Sequence, residues 1–141
     1  MISRMKTRLS SEQGFTLIEL LVVIIILGIL VAIAVPSYLS FRGNAQDAAS
    51  KANVRSAIPA AESFYQDAAG GNGSYTGLTL AKLQSEAPGI SPNVLAGPNA
   101  AGTGYCIQDT EGAGHVFNYQ GGTGGSATIA SGACAAAYTV G

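Results

Sequence analysis

Twenty-one residues from Phe15 to Val35, FTLIELLVVIIILGILVAIAV, carry only two polar side chains, Thr16 and Glu19. As a helix this run is about 30 Å long at ~1.5 Å per residue, enough to cross the hydrocarbon core of a bilayer. Being apolar on every side, it belongs in a membrane or in the core of an assembly. Glu19 is the anomaly, because an ionised carboxylate in hydrocarbon costs at least ~2.5–3.5 kcal/mol on insertion scales. It needs a reason to be there.

The residues in front of the run are polar, carry Arg4, Lys6 and Arg8, and end at Gly14 directly before it. An ordinary secretory signal is cut after its hydrophobic region; here the plausible cut precedes it. A basic leader, then Gly14-Phe15-Thr16-Leu17-Ile18-Glu19, then an unbroken apolar helix to Pro36, resembles the class III leader of the type IV pilins and their pseudopilin relatives. The likeness is specific over Gly14 to Pro36 and fades through the following helix. Over the C-terminal half it rests on layout alone.

The resemblance implies a precursor cut between Gly14 and Phe15 by a prepilin peptidase, which also methylates the new amino terminus. It implies that Glu19 pairs with the terminal amine of a neighbouring subunit's Phe15 during assembly. A buried charge without its partner is destabilising by ~3–5 kcal/mol, so such a pair would fix where a subunit sits. A homo-oligomeric helical filament follows from the same likeness, with an inner-membrane assembly platform and a motor ATPase as further partners. The precursor would lie in the cytoplasmic membrane as a single-pass protein and the product in a cell-surface filament serving adhesion, motility or DNA uptake. The competing readings are a pseudopilin of a type II secretion system and a membrane-tethered binding module.

Net charge is −1, unevenly divided. The leader's three basic residues and Glu12 give +2, while Arg42, Lys51, Arg55 and Lys82 against seven acids give −3 for the remainder. A mildly acidic product is a poor nucleic-acid binder, since that task needs a basic surface, and no direct nucleic-acid contact is expected. Basic residues on both sides of the span give the positive-inside rule little purchase. Cys106 and Cys134 both lie far beyond the span, and an even pair in a small glycine-rich head reads as a disulfide on an oxidising side of the membrane. Free thiols or half of a metal site are the alternative, although neither a CxxC nor a nearby histidine supports zinc.

The fold expected is α+β: a long N-terminal helix, transmembrane then amphipathic, packed against an antiparallel sheet of three to four strands. The segments are a leader over 1–14, an apolar helix over 15–35, an amphipathic helix over 36–67 and a globular head over 68–141. Phe41, Ala45, Ala48 and Ala52, and again Val54, Ile58, Ala61 and Tyr65, follow helical spacing. Asp47 and Lys51 stand in the favourable order for an ion pair four residues apart. Pro36 removes an N–H and leaves the Ala32 carbonyl without a partner, and Gly28 adds a second weak point, so a kink is expected there; the resemblance to the pilins implies that the helix kinks or melts over 28–36 on assembly. Pro59 predicts a second bend near 55–59. Gly28 and Ala32 also form a small-xxx-small pair suited to close helix packing.

Sixteen of the 19 glycines lie from Gly70 onward. Gly70, Gly71 and Gly73 end the helix, and 75–98 reads as a connecting loop with a short helix over 79–86. Strands are predicted over 105–109, 116–120 and 127–130. Enzyme chemistry has little to stand on. His115 is the only histidine and has no serine or cysteine motif beside it. The glycine loop over 121–126 lacks the lysine and helix of a phosphate cradle. Asp109 and Glu111 fall short of the six to eight oxygens that calcium prefers. No cofactor or metal is expected, and the Cys pair without an acidic cluster favours the pilin over the pseudopilin.

Overall fold

The computed structural model describes residues 14–141; the first thirteen residues of the leader, with Arg4, Lys6, Arg8 and Glu12, lie outside the described residues. It holds helices α1 (Leu17–Gln66) and α2 (Leu80–Glu86) and strands β1 (Val94–Pro98), β2 (Gly104–Asp109), β3 (Phe117–Gly122) and β4 (Ile129–Ser131). The chain divides into two compact units, one ending at Ser40 and the other running from Phe41 to Gly141.

In the first unit the described residues, 14–40, are all exposed. α1 is the one described helix long and apolar enough to cross a membrane, with a mean hydropathy of 3.3 over its most apolar window. It continues without interruption through Gly28, Pro36 and Pro59. The prolines each remove one backbone bond and do not end the helix, because the neighbouring turns supply the rest.

In the second unit the same helix becomes one-sided. Ser50, Val54, Ala57, Ala60, Ala61 and Phe64 are buried, a series at the spacing of one helical face. The series expected from Phe41 to Ala52 is not part of it: Phe41 is 72% exposed, and Ala45, Ala48 and Ala52 are exposed as well. The buried face meets Tyr105 and Ile107 of β2 and Val94 and Ala96 of β1, with Tyr75, Leu78, Leu83 and Ile90 closing the core from the connecting segment. Four strands form one antiparallel sheet in the order β1-β2-β3-β4. This is the expected α+β fold. β1 corrects the loop expected over 75–98: Val94 to Pro98 pairs with Tyr105 to Asp109. Pro98 is tolerated because it closes a strand at the edge of the named sheet.

The face of β2 opposite the helix is covered too. After β4 the chain recrosses the sheet: the Asn118 amide donates to the Gly132 carbonyl at 2.7 Å, and the Cys134 N–H donates to Gln108 Oε1 at 2.7 Å. Cys134 is disulfide-bonded to Cys106 of β2, their Cα atoms 6.0 Å apart. The tail then pairs with the outer edge of β1, Thr139 donating to the Pro98 carbonyl at 3.0 Å and Gly141 to the Ala96 carbonyl at 3.3 Å. A Cβ on Gly97 would lie 1.8 Å from the Thr139 carbonyl oxygen, so only glycine admits the tail this closely. Every residue of β2 is therefore buried. The expected disulfide is thus present, and it ties the tail to the strand over 105–109, which is the second of the sheet because β1 precedes it.

Candidate functional site

The first strand of evidence for function is the apolar end of α1. Phe15 is 84% and Leu17 81% exposed, and exposed large apolar side chains continue along the helix to Phe41. Contiguous apolar exposure on this scale marks a surface that another molecule or a lipid phase covers. Gly14 lies immediately before it, with open space around its Cα.

Thr16 precedes the helix and Glu19 closes its first turn in a reciprocal arrangement. The Thr16 N–H and hydroxyl donate to Glu19 Oε2 at 2.8 and 2.6 Å, and the Glu19 N–H donates to the Thr16 hydroxyl oxygen at 3.3 Å. This is a capping box, which satisfies donors that a helix start leaves without partners. A carboxylate at this end also complements the positive pole of the helix. Glu19 thus has a local role in the single subunit. The T-x-x-E spacing signals it in the sequence, although Glu19 there drew attention as an isolated charge.

The head contains a second organised group. Glu62 of α1 accepts the Tyr105 hydroxyl at 2.8 Å on Oε1 and the Tyr75 hydroxyl at 3.0 Å on Oε2. Burial first, and the bond to Glu62 second, raise both tyrosine hydroxyls well above their ordinary pKa. Tyr65, Tyr75, Tyr105 and Tyr119 form a continuous row, with successive ring centroids 4.7, 4.6 and 6.0 Å apart. None of these partnerships is visible in spacing, since the residues lie 13 and 43 positions from Glu62.

The remaining polar candidates are structural. Asp109 is fully buried and accepts from the Ser50 hydroxyl at 2.6 Å, the Asn53 amide at 3.0 Å and the Glu111 N–H at 2.8 Å. Asn53 also donates to Glu111 at 2.9 Å, so both acids hold the β2–β3 turn to α1. Among the described residues no group of three or more His, Cys, Asp or Glu side chains is arranged to hold a metal ion. The expected Asp47–Lys51 pair is replaced: Asp47 reaches across to His115 at 3.0 Å, and Lys51 sits 4.6 Å above the Phe117 ring. A tertiary partner in the turn wins over the helical neighbour because the turn packs against this side of α1. Gly121 and Gly122, expected in a loop, finish β3.

The sequence is similar to known proteins. The prokaryotic N-terminal methylation motif matches residues 9–35. The chain is 34% identical over 98 residues to the type IV wide pilus major component of Thermus thermophilus, covering 69% of this chain and 72% of that protein. It is 32% identical over 105 residues to the type IV major fimbrial protein of Dichelobacter nodosus, covering 72% and 67%. It is 38% identical over 66 residues to the type IV major pilin protein of Myxococcus xanthus, of whose length it spans 29%. No solved structure matches the chain significantly.

Proposed function

The chain belongs to the type IV pilins, and from that premise we propose that it is made as a membrane-anchored precursor, cut between Gly14 and Phe15, and polymerised into a surface filament. The observation that carries this reading is the bare apolar length of α1, exposed on all sides from Phe15 to Val35. In the precursor, lipid covers it; in the filament, the same residues of other copies do. Transfer of apolar area out of water contributes ~25 cal/mol per Å², so the 16 large apolar side chains of this stretch make a durable polymer. Methylation of the new Phe15 amine by the same peptidase, and an assembly platform driven by an ATPase, complete the proposed route. The filament's heads would then serve adhesion, motility or DNA uptake.

Glu19 is the proposed assembly residue. Cutting at Phe15 places a cationic amine beside the positive pole of the helix, and a neighbour's carboxylate offsets both. In the isolated subunit Glu19 is bonded to its own Thr16, so the intersubunit pair forms by exchanging a capping contact for an ionic one. The stretch from Gly28 to Pro36 is the proposed place where α1 gives way on assembly, and Pro59 a proposed second bend, since each weakens the backbone ladder.

Glu19→Gln separates the two roles, because glutamine keeps a capping box and loses the charge. Surface filaments are sheared from cells expressing the parent, Glu19→Gln or Glu19→Ala and counted by electron microscopy. An ionic latch predicts that both variants lose filaments. Parental yield from Glu19→Gln would reduce Glu19 to a cap.

A further inference from the structure

The tail over 132–141 is fastened to the sheet almost entirely by its backbone. None of its side chains is buried: Cys134, Tyr138 and Val140 are half-buried and the others exposed. The Thr139 and Gly141 N–H groups donate to the Pro98 and Ala96 carbonyls on the outer edge of β1. The Gly132 carbonyl accepts from Asn118, and the Cys134 N–H donates to Gln108. The one covalent fastener is the Cys106–Cys134 disulfide. We propose that the outer edge of β1 is an exchangeable docking site: with the disulfide open it accepts the tail of a second copy of this chain, and exchanged tails join two heads.

The occupant is already seated on the edge. What it offers there is extended backbone, which a second copy supplies identically, so exchange keeps every contact and changes only the chain that makes it. On the receiving side, Gly97 leaves the gap that admits the Thr139 carbonyl, with which a Cβ would collide. Were the tail to leave, β1 would present the Ala96 and Pro98 carbonyls along an open edge, and such an edge is a template for pairing.

The tail also has a hinge and a latch. Gly132 has φ +112° and nothing within 4 Å of an added Cβ, a conformation open to glycine at the point where the chain leaves β4. Between it and Tyr138 stand only alanines and Cys134, so no large side chain ties this stretch down. A dithiol reductant opens the latch by giving two electrons and two protons to the Cys106–Cys134 bond. Both residues become thiols and the reductant becomes a disulfide. A short flexible connection holds the tail near its own head at an effective concentration on the order of mM, so exchange competes where heads are crowded to that level. A filament coat supplies such crowding; that setting rests on the assembly reading, and exchange by the purified chain does not.

Two copies with one cysteine each measure the exchange. Cys106→Ser keeps the tail thiol and Cys134→Ser keeps the sheet thiol, so a disulfide joining position 134 to position 106 forms only between chains. Cys106 is fully buried, and a thiol there is reached by a tail seated as the native one is. The two full chains are mixed in detergent at about 1 mM each, the level at which exchange competes. They are oxidised with glutathione disulfide, which takes up the two electrons and two protons, and run on a non-reducing gel. The heterodimer should exceed either homodimer. Adding Gly97→Ala to the Cys134→Ser copy should lower its yield about tenfold, the cost of losing the edge bonds. Removing 138–141 from the Cys106→Ser copy should do the same from the tail's side, and keeps the test sharp if Gly97→Ala disturbs the fold. Absence of the heterodimer, or a yield that the shortened tail leaves unchanged, would overturn the proposal. So would loss of the near-ultraviolet circular dichroism of the head in either single-cysteine copy, because exchange needs a head that stays folded with the latch open.

Discussion

Two valines on one helix, thirty-two positions apart, have opposite fates: Val22 is 44% exposed and Val54 is fully buried. Both lie in α1, yet the first belongs to a stretch whose described residues are all exposed and the second to a head with its own core, disulfide and covered sheet. The difference is one of self-sufficiency. The head satisfies its apolar and polar groups internally; no buried side-chain nitrogen or oxygen among the described residues lacks a partner. The apolar stretch satisfies only its backbone and its first turn. Its side chains are complete only in other company.

That contrast is broken most severely by a charge in the stretch. Ile26→Asp should bring filament yield to background, since an aspartate at the centre of an apolar span costs ~2.5–3.5 kcal/mol before any loss of packing. The melting temperature of the head, followed by near-ultraviolet circular dichroism, should not move. A shifted melt would mean that the two regions are not independent. The converse change is Cys134→Ser. Opening a loop whose ends are 28 positions apart should cost the head ~3–4 kcal/mol on the chain-entropy account, more than about 10 °C in melting temperature. An unchanged melt would show that the tail's backbone bonds to β1 suffice.

Smaller effects probe how the head holds α1. Tyr105 and Tyr75 keep their protons when folded, held by burial and by Glu62, whereas the unfolded chain releases them near pH 10. Stability contributed by these groups is whole below about pH 10 and falls above it, by up to ~1.4 kcal/mol per pH unit for each tyrosine. Denaturant titrations of the parent and of Tyr105→Phe should therefore converge as pH rises, after a difference of about 1 kcal/mol at neutral pH. Asp47→Ala should do least. His115 is 63% exposed, and such a pair contributes about 0–1 kcal/mol, so a larger loss would assign the β2–β3 turn more weight than its exposure suggests.

Legibility in the sequence follows the same division. The apolar stretch is written in composition, and α1 could be followed through Pro59 because Val54, Ile58, Ala61 and Tyr65 keep helical spacing on both sides of it. β2 and β3 are rich in aromatic and β-branched residues at period two, which is why Tyr105 to Asp109 and Phe117 to Gln120 stand out. β1 was hidden because Val94-Leu95-Ala96-Gly97-Pro98 reads as a proline-bounded loop, and its strand character comes from β2 and the tail. The tail itself, alanine- and glycine-rich, binds through backbone groups and one disulfide, and side-chain pattern cannot report those. Glu62 was illegible for a related reason: its partners are set by the fold. The Thr16–Glu19 box was legible and was obscured by the oddity of a charge in an apolar run.

The central claim is that the bare stretch begins at Phe15 and ends among copies of itself. Its most direct measurement is the intact mass of the chain in filaments sheared from the cell surface. A chain starting at a methylated Phe15 in the filament fraction is the predicted result; one that starts at Met1, or is recovered solely as a membrane-bound monomer, would contradict it.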